Sequence, residues 1–534
     1  MTIDDYTDKE RHEDIKALHG MGYAQELSRS MSKFSNFAIS FSIICILSGG
    51  INSFGQSIGS VGGAGAGFGW IVGCLISGMF ALAMAQIASA FPTAGGLYHW
   101  AWILGNRFWG WLTAWLNLLG LLTVLGAINI GTAFFFQATF GSRLFGMGTD
   151  ATSIVVFVSI ITVIQAIFNH VGIKVTTFLT DISGYIILVT TAVLVIACLY
   201  FAPALDLSRL WTFTNNFGAA GGNVFPDPSV TEQNPAGNGA SMLYVFVLGL
   251  LLPLYTITGY DASAHTAEET KGAALSVPRG IVSAVVWSSL IGWVMVCVII
   301  LAIPDMTAGA TQGFGVFFAT MDAILPEVLK DLIYFGIFVT QFLCGLATVT
   351  SASRMLFAFS RDDGMPVGSR ALATVSPRYR TPVNAIWTSS IMSIVYVVAV
   401  SLIPVAGGAD FSLYFMVVNS TLVFLFLSFT IPIIAGMIAY GTAKWPTPGP
   451  WAMSAGVFKL VCVLAVVGMG IIFFAAVQFP NDKVLWIVLA FIALALILWV
   501  TVENRRFEGP PIGDRIAMRK AAIAAAEAAV GEKG

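Results

Sequence analysis

The sequence predicts an all-α polytopic membrane protein with about twelve transmembrane helices, and three observations carry that reading. Of 534 residues, 57% are apolar and only 10% are charged, against roughly 25% charged in an ordinary soluble domain. The mean hydropathy is +0.84, so too few polar residues exist to cover a water-soluble globule. Apolar runs long enough to cross about 30 Å of hydrocarbon as helices recur along the whole chain, without the polar-in, apolar-out alternation of barrel strands. The net charge of −2, from 26 basic and 28 acidic residues, leaves no basic excess for nucleic acid.

Residues 1–35 are polar and mixed in charge, with no apolar signal core before Phe37, and read as a cytoplasmic tail. Spans 1–5 fall near 36–61, 67–91, 108–138, 151–169 and 173–201, forming a first block, 36–201. The Gly-, Asn- and Pro-rich stretch 202–240 reads as a flexible extracellular loop. Spans 6–10 follow near 241–268, 280–303, 331–358, 383–404 and 411–440, a second block over 241–440. Spans 11 and 12, near 453–479 and 483–502, occupy 441–503. The remainder, 504–534, is a cytoplasmic tail whose DRIAMRKAAIAAAEAAV forms a short Ala-rich helix, read as solvated. With both termini inside, only Arg143, Arg209, Lys330 and Lys483 lie outside, so the excess of Lys and Arg selects this orientation; the expected location is a plasma (inner) membrane. Trp109, Trp111 and Trp115, near the inner end of span 3, read as interfacial anchors. The six cysteines lie within apolar runs and the five histidines show no metal-ligand spacing, so neither metal nor cofactor is expected. No nucleophile–base pair suggests an enzyme.

Two spans carry residues that interrupt helices. Span 1, FAISFSIICILSGGINSFGQSIG, places Ser48, Gly49, Gly50, Asn52, Ser53 and Gly55 at mid-membrane depth. Span 6, SMLYVFVLGLLLPLYTITGYDASAHTAEET, places Pro253, Thr256, Thr258, Gly259 and Asp261 there. Glycine and proline lower the cost of leaving helical geometry, and small hydroxyls satisfy the backbone groups released. The two spans are five apart, so they are equivalent if two five-helix repeats are related by inversion, and paired interruptions mark a central binding site. Glycine also serves close helix packing, the reading given to Gly69 and Gly73 of span 2.

An ionised carboxylate at the bilayer centre costs about 2.5–3.5 kcal/mol. Asp261 therefore either faces a wet cavity, binding a cation or a proton, or caps the amides freed in span 6. A half-helix after Gly50 would put the amides of Ile51, Asn52 and Ser53 at the positive end of a helix dipole, where a carboxylate fits. Across the cavity, the carbonyls of Tyr255, Thr256, Ile257 and Thr258 would accept from an ammonium group. A small zwitterion satisfies both ends. Phe54, Tyr255 and Tyr260, beside the interruptions, suit packing around a cation.

These residues resemble the amino-acid–polyamine–organocation (APC) superfamily and, within it, the amino acid/choline transporter family. The resemblance rests on SGGINSFG in span 1, FPTAGGLYHWA after span 2 and TGYDASAHTAEETKGAALSVPRGI from span 6 onward. It rests also on TSASRMLFAFSRDDGMP and PRYRTPVNAIW, and covers roughly residues 25–505. It implies five-plus-five inverted repeats with broken helices 1 and 6, two further helices, and alternating access to one site among spans 1, 3, 6, 8 and 10. By position, Gly49 to Ser53 would receive a carboxylate, with Ser48 beside them in the binding set, and Thr258, Gly259, Tyr260 and Asp261 would shape the opposite wall. Members of that family move amino acids, γ-aminobutyrate, choline or polyamines, so the resemblance does not name the cargo; the residues favour transport of an amino acid or similar small zwitterion, with γ-aminobutyrate, choline or a polyamine as alternatives and a non-transporting nutrient sensor as another. Relatives often carry Lys or His where this chain has Ile187, which leaves H+ or Na+ open as the coupling ion. Asp261 and Thr348 are the coupling candidates, and Glu268 and Glu269 with Arg361 or Arg279 are the candidate inner gate.

Overall fold

A computed structural model describes residues 7–219, 224–225, 227, 229, 234, 237–403, 412–478, 481–511 and 514–529. Among them, eleven helices are long and apolar enough to cross a membrane. They correspond to every predicted span except the sixth, whose helix Met242–Thr256 is too short to cross alone. The protein is an integral, multi-pass membrane protein. The ends follow local chemistry: Ser32, Asn106, Asp150 and Ser241 each accept an amide hydrogen at the start of spans 1, 3, 4 and 6, replacing a bond the first helical turn lacks.

Span 3, Arg107–Phe136, lies at the centre, packed on span 8 (Glu327–Arg361) and span 10 (Ser412–Ala439). Span 7 (Ala273–Ala302) joins spans 1 and 2 on one side. Spans 4, 5, 9 and 12 present Ile160, Val189, Val395 and Trp486 outward, the apolar surface that a bilayer covers. Of the tryptophans read as anchors, Trp109 is exposed, whereas Trp111 is fully buried, packed edge-on to Trp115.

Both termini differ from free tails. A capped helix, Asp8–Gly20, precedes a segment that buries Tyr23, Gln25, Leu27 and Met31, and span 1 already begins at Lys33. The Asp14 carboxylate accepts from the Gly272 and Ala273 amides, capping span 7. The Ala-rich helix forms as Lys520–Ala529, but it is docked rather than solvated. Glu527, buried, accepts from the Gln25 amide at 2.9 Å and meets His19 Nε2 at 2.7 Å. The amphipathic spacing of Ile523 and Glu527 presents one face to the N-terminal segment. The termini therefore lie at one end of the bundle.

The predicted loop 202–240 falls partly outside the described residues. Its described beginning is tied down rather than loose. The amides of Thr214 and Asn216 donate to Val61 and Ser60 carbonyls, and Asn216 Nδ2 donates to Ile58 O, closing over the far end of span 1.

Candidate functional site

Span 1 is interrupted, but not where its glycines suggested. Helix Lys33–Ile44 ends at Cys45, whose φ of 29° departs from helical geometry, and the chain resumes as Ile46–Asn52 and Phe54–Ile58. The amides at the start of the second segment are those of Ile46 and Leu47. Ile51 and Asn52 lie within that segment, and the Ser53 amide donates to Gly49 O at 3.0 Å. The helix start expected just before Ile51, Asn52 and Ser53 thus lies about one and a half turns earlier, at Ile46. The glycines serve contact. A Cβ on Gly49 would lie 2.7 Å from Thr256 Cα, and one on Gly50 would lie 2.9 Å from Met295 Cε. Gly49 therefore admits span 6 and Gly50 admits span 7. Gly73 likewise abuts Pro253.

Span 6 breaks where expected. Leu251–Thr256 ends with the Ile257 amide donating to Pro253 O, Gly259 has φ +85°, and a short turn, Ala262–His265, follows. Thr258 Oγ1 donates to Tyr255 O at 2.7 Å, so one of the freed carbonyls is already used. The two interruptions face each other. Ser40 Oγ donates to Tyr260 O at 2.9 Å and accepts the Ser263 amide at 3.0 Å. Asn36 Nδ2 donates to Ser263 O. Phe54, Tyr255 and Tyr260 are all buried, and Tyr260 packs on Phe429.

Asp261 is fully buried and caps no amide with its side chain. Its Oδ2 accepts from Asn117 Nδ2 of span 3 at 3.0 Å and meets His265 Nε2 at 3.2 Å. Its Oδ1 has no partner among the described residues. Thr348 turns its hydroxyl to its own helix, donating to Cys344 O at 2.9 Å, and Cys344 Sγ donates to Ile43 O. Ile187 is buried.

Beyond the first break, a polar cluster sits within the bundle. Asn52 Nδ2 reaches Gln341 Oε1 and Gln56 Nε2 reaches Asn419 Oδ1, each at 3.4 Å. The Tyr414 hydroxyl faces Asn52, Ser53 and Tyr255. Asn52 Oδ1, Ser53 Oγ, Gln56 Oε1 and Asn419 Nδ2 are buried without partners among the described residues. Buried polar atoms normally have partners, so this concentration marks a place suited to a polar solute.

Toward the end holding both termini, two bidentate ion pairs join span 8 to the segment that follows the span 6 break. Arg361 Nη2 and Nη1 donate to Glu268 Oε1 and Oε2 at 2.8 and 3.0 Å. Arg354 Nη2 and Nε donate to Glu269 Oε1 and Oε2, both at 3.0 Å. The first pair was expected; the second replaces Arg279, which is exposed. Met31 bridges across them, its amide donating to Glu269 O and its carbonyl accepting the Lys271 amide. Tyr23, stacked 3.9 Å beneath the Arg361 guanidinium, donates to Asp362 Oδ2, which also meets His99 and Tyr98. Arg354, His265, Asn117, Gln341 and Tyr414 escaped the sequence reading. For Arg354 a signal existed, a guanidinium one turn inside an otherwise apolar span.

A family model described as amino acid permease matches residues 31–501. The amino-acid permease BAT1 of Arabidopsis thaliana is 32% identical over 523 residues, covering 92% of this chain and 95% of that protein. The rice homologue of BAT1 is 31% identical, covering 92% and 94%. A GABA-specific permease of Saccharomyces cerevisiae is 28% identical, over 72% of this chain and 65% of its own length.

Proposed function

The chain belongs to the amino acid permease family, and on that premise we propose that it is a secondary active transporter moving an amino acid or similar small zwitterion by alternating access. The observation that carries this reading is the pair of facing interruptions at Cys45 and at Ile257 to Gly259. Broken helices offer backbone donors and acceptors that a continuous helix has already used. The start of the second segment of span 1, at Ile46 and Leu47, presents amides to a carboxylate. The carbonyls around Thr256 and Ile257 present acceptors to an ammonium group. The Asn52, Gln341, Asn419 and Tyr414 cluster takes the polar remainder of the solute.

In this reading 36–201 and 241–440 act as inverted repeats that rock about the site. The end holding both termini is cytoplasmic, a reading the distribution of basic residues supports, and the Glu268–Arg361 and Glu269–Arg354 pairs form the inner gate. The structure then corresponds to a state closed toward the cytoplasm. The yeast relative named for GABA makes γ-aminobutyrate, an ω-amino acid with the same two charged ends, the alternative cargo to include in any screen. The test is a thermal-shift screen of the purified protein against the twenty amino acids, γ-aminobutyrate, choline and spermidine, followed by counterflow in proteoliposomes. Stabilisation and counterflow by a zwitterion is the expected result. Stabilisation by choline or spermidine alone overturns the zwitterion assignment, and binding without counterflow overturns transport.

A further inference from the structure

We propose that the cargo is an amino acid whose side chain ends in a carboxamide, and that Asn52, Gln56, Gln341 and Asn419 select it. The proposal deepens the transporter reading above and rests on it.

A comparison within the protein shows what these four residues lack. Asn129 of span 3 and Gln165 of span 4 pair reciprocally, Nδ2 to Oε1 at 2.8 Å and Nε2 to Oδ1 at 3.0 Å. Neither keeps an unpartnered polar atom among the described residues. In the candidate site each carboxamide pair has one arm only. Asn52 meets Gln341 and Gln56 meets Asn419, each at 3.4 Å, and the return contacts are missing. Asn52 Oδ1, Gln56 Oε1 and Asn419 Nδ2 are buried without partners among the described residues, as are the Ser53 and Tyr414 hydroxyls. A buried donor or acceptor left unmade costs more than a typical hydrogen bond gains, so a solute that completes these contacts is favoured.

The donor and acceptor pattern is set by the backbone. The Leu47 carbonyl only accepts, so Gln341 turns Nε2 to it, at 3.5 Å. Gln341 Oε1 then faces Asn52, which answers with Nδ2 and leaves Oδ1 free. The Gln56–Asn419 pair leaves one donor and one acceptor whichever way both amides are turned. The cluster therefore asks for two donated hydrogens and one accepted one. A carboxamide supplies both kinds, with two hydrogens on nitrogen and a carbonyl oxygen.

Length and charge agree with this choice. Gln341 touches Leu47, whose amide and that of Ile46 begin the second segment of span 1. Asn52 follows Ile46 by six residues, about 9 Å of helical rise, which suits a side chain of two methylenes and a carboxamide. Spans 1 and 3 carry no charged residue beyond Lys33 and Arg107 at their starts, and span 10 carries none. On span 8 the nearest charges, Asp331 and Arg354, lie ten residues before and thirteen after Gln341, about 15 and about 20 Å along the helix. Asp261 meets Asn117, fourteen residues from Gly131, or about 21 Å along span 3. Gly131 is the residue that admits Asn52, since a Cβ there would stand 2.0 Å from Asn52 Nδ2. A charged side chain placed in this cluster is buried without a counter-charge. A carboxylate also brings only acceptors to Asn52 Oδ1, and an apolar chain of equal length leaves every free atom unmade.

The test is counterflow by the full chain in proteoliposomes with labelled glutamine, competed by unlabelled glutamine, glutamate, methionine and lysine. Glutamine should drive counterflow and compete at concentrations at least about tenfold below those of glutamate, methionine and lysine. Any of these three competing within about threefold of glutamine overturns the proposal, and so does a panel in which other amino acids drive counterflow and glutamine does not. Asn419→Leu should reduce the advantage of glutamine over methionine at least about tenfold, and an unchanged advantage overturns the assignment to these residues. The wild-type comparison needs no variant to fold. Absence of counterflow with all twenty amino acids and γ-aminobutyrate would instead sink the transporter reading. The thermal shift by glutamine against glutamate and methionine on the purified protein then still judges the selectivity, and equal shifts would overturn it.

Discussion

Replacing Arg354 by Met isolates what the second pair of the proposed inner gate does. Arg354 and Glu269 have almost no exposed side-chain surface and share two 3.0 Å contacts. Removing one member of a buried pair costs about 3–5 kcal/mol, because the survivor stays charged and out of water. Glu269 has an escape that a core residue lacks: when the gate opens, water reaches it. The deficit should therefore appear as a population shift rather than as unfolding. At about 1.4 kcal/mol per factor of ten, 3–5 kcal/mol moves the closed-to-open ratio toward open by between about 10² and about 4 × 10³-fold. Hydrogen exchange at residues 267–271 and 29–31 reads this directly, since the Met31 and Lys271 backbone bonds bridge the gate. Their protection should collapse in Arg354→Met and return largely in Glu269→Gln/Arg354→Met, where no charge is left buried. A single variant within about twofold of wild type, or a double variant as labile as the single one, would refute this role for the pair.

Three further outcomes follow from the same geometry. Gly259→Ala meets both a left-handed backbone, worth about 1–2 kcal/mol, and a clash with Ile43 Cγ2, worth about 1–3 kcal/mol; it should lower the melting temperature, and adding Ile43→Ala should recover only the second part. Deleting residues 508–534 removes the Glu527 acceptor of the Gln25 amide. A hydrogen bond to a buried charge contributes about 1.5–3 kcal/mol, so exchange at residues 23–27 should rise at least about tenfold, and unchanged exchange would show that the docked C-terminal helix holds nothing. Burial pushes the Glu26 carboxyl above its ordinary value; Arg361 pulls it down, while Glu268 and Glu527 add to the rise. A raised value means the docked segment binds that proton more tightly, so Glu26 supports docking at low pH and opposes it as pH rises. Glu26→Gln should accordingly protect residues 23–31 more than wild type at pH 7 and match it near pH 4; equal protection at both would contradict the assignment.

What the sequence made legible is what local chemistry decides. Apolar runs set the spans because hydrocarbon tolerates only helices whose backbone is satisfied internally. The span 6 break was legible because Pro253 and Gly259 are the residues that such a backbone path requires, and Gly259 does adopt a positive φ. The span 1 break was misplaced for the converse reason. Its unusual backbone angle falls on Cys45, which has no local preference for it, and the contacts around that turn are tertiary. Cys344 Sγ reaches Ile43 O, and Ser40 grips Tyr260 and Ser263 across the bundle. The nearby glycines pointed to the right span for another reason, since Gly49 and Gly50 admit spans 6 and 7.

The gate shows the same division more sharply. Glu268 and Glu269 are adjacent, so sequence reasoning gave them interchangeable partners. The fold assigns each its own arginine, with Arg354 85 positions and Arg361 93 positions away. His19 and Glu527, 508 positions apart, meet over that gate, and no composition rule singles out one glutamate in an alanine-rich helix as buried. These long-range polar pairs are also the contacts that must break when the proposed transporter opens to the cytoplasm. A permanent core contact can be apolar and therefore patterned along the chain. A contact made in one state and broken in the other must survive exposure to water, so it is built from charged side chains. Each charge has to find its partner by tertiary placement, and that is why the contacts proposed to move are the ones the sequence shows least.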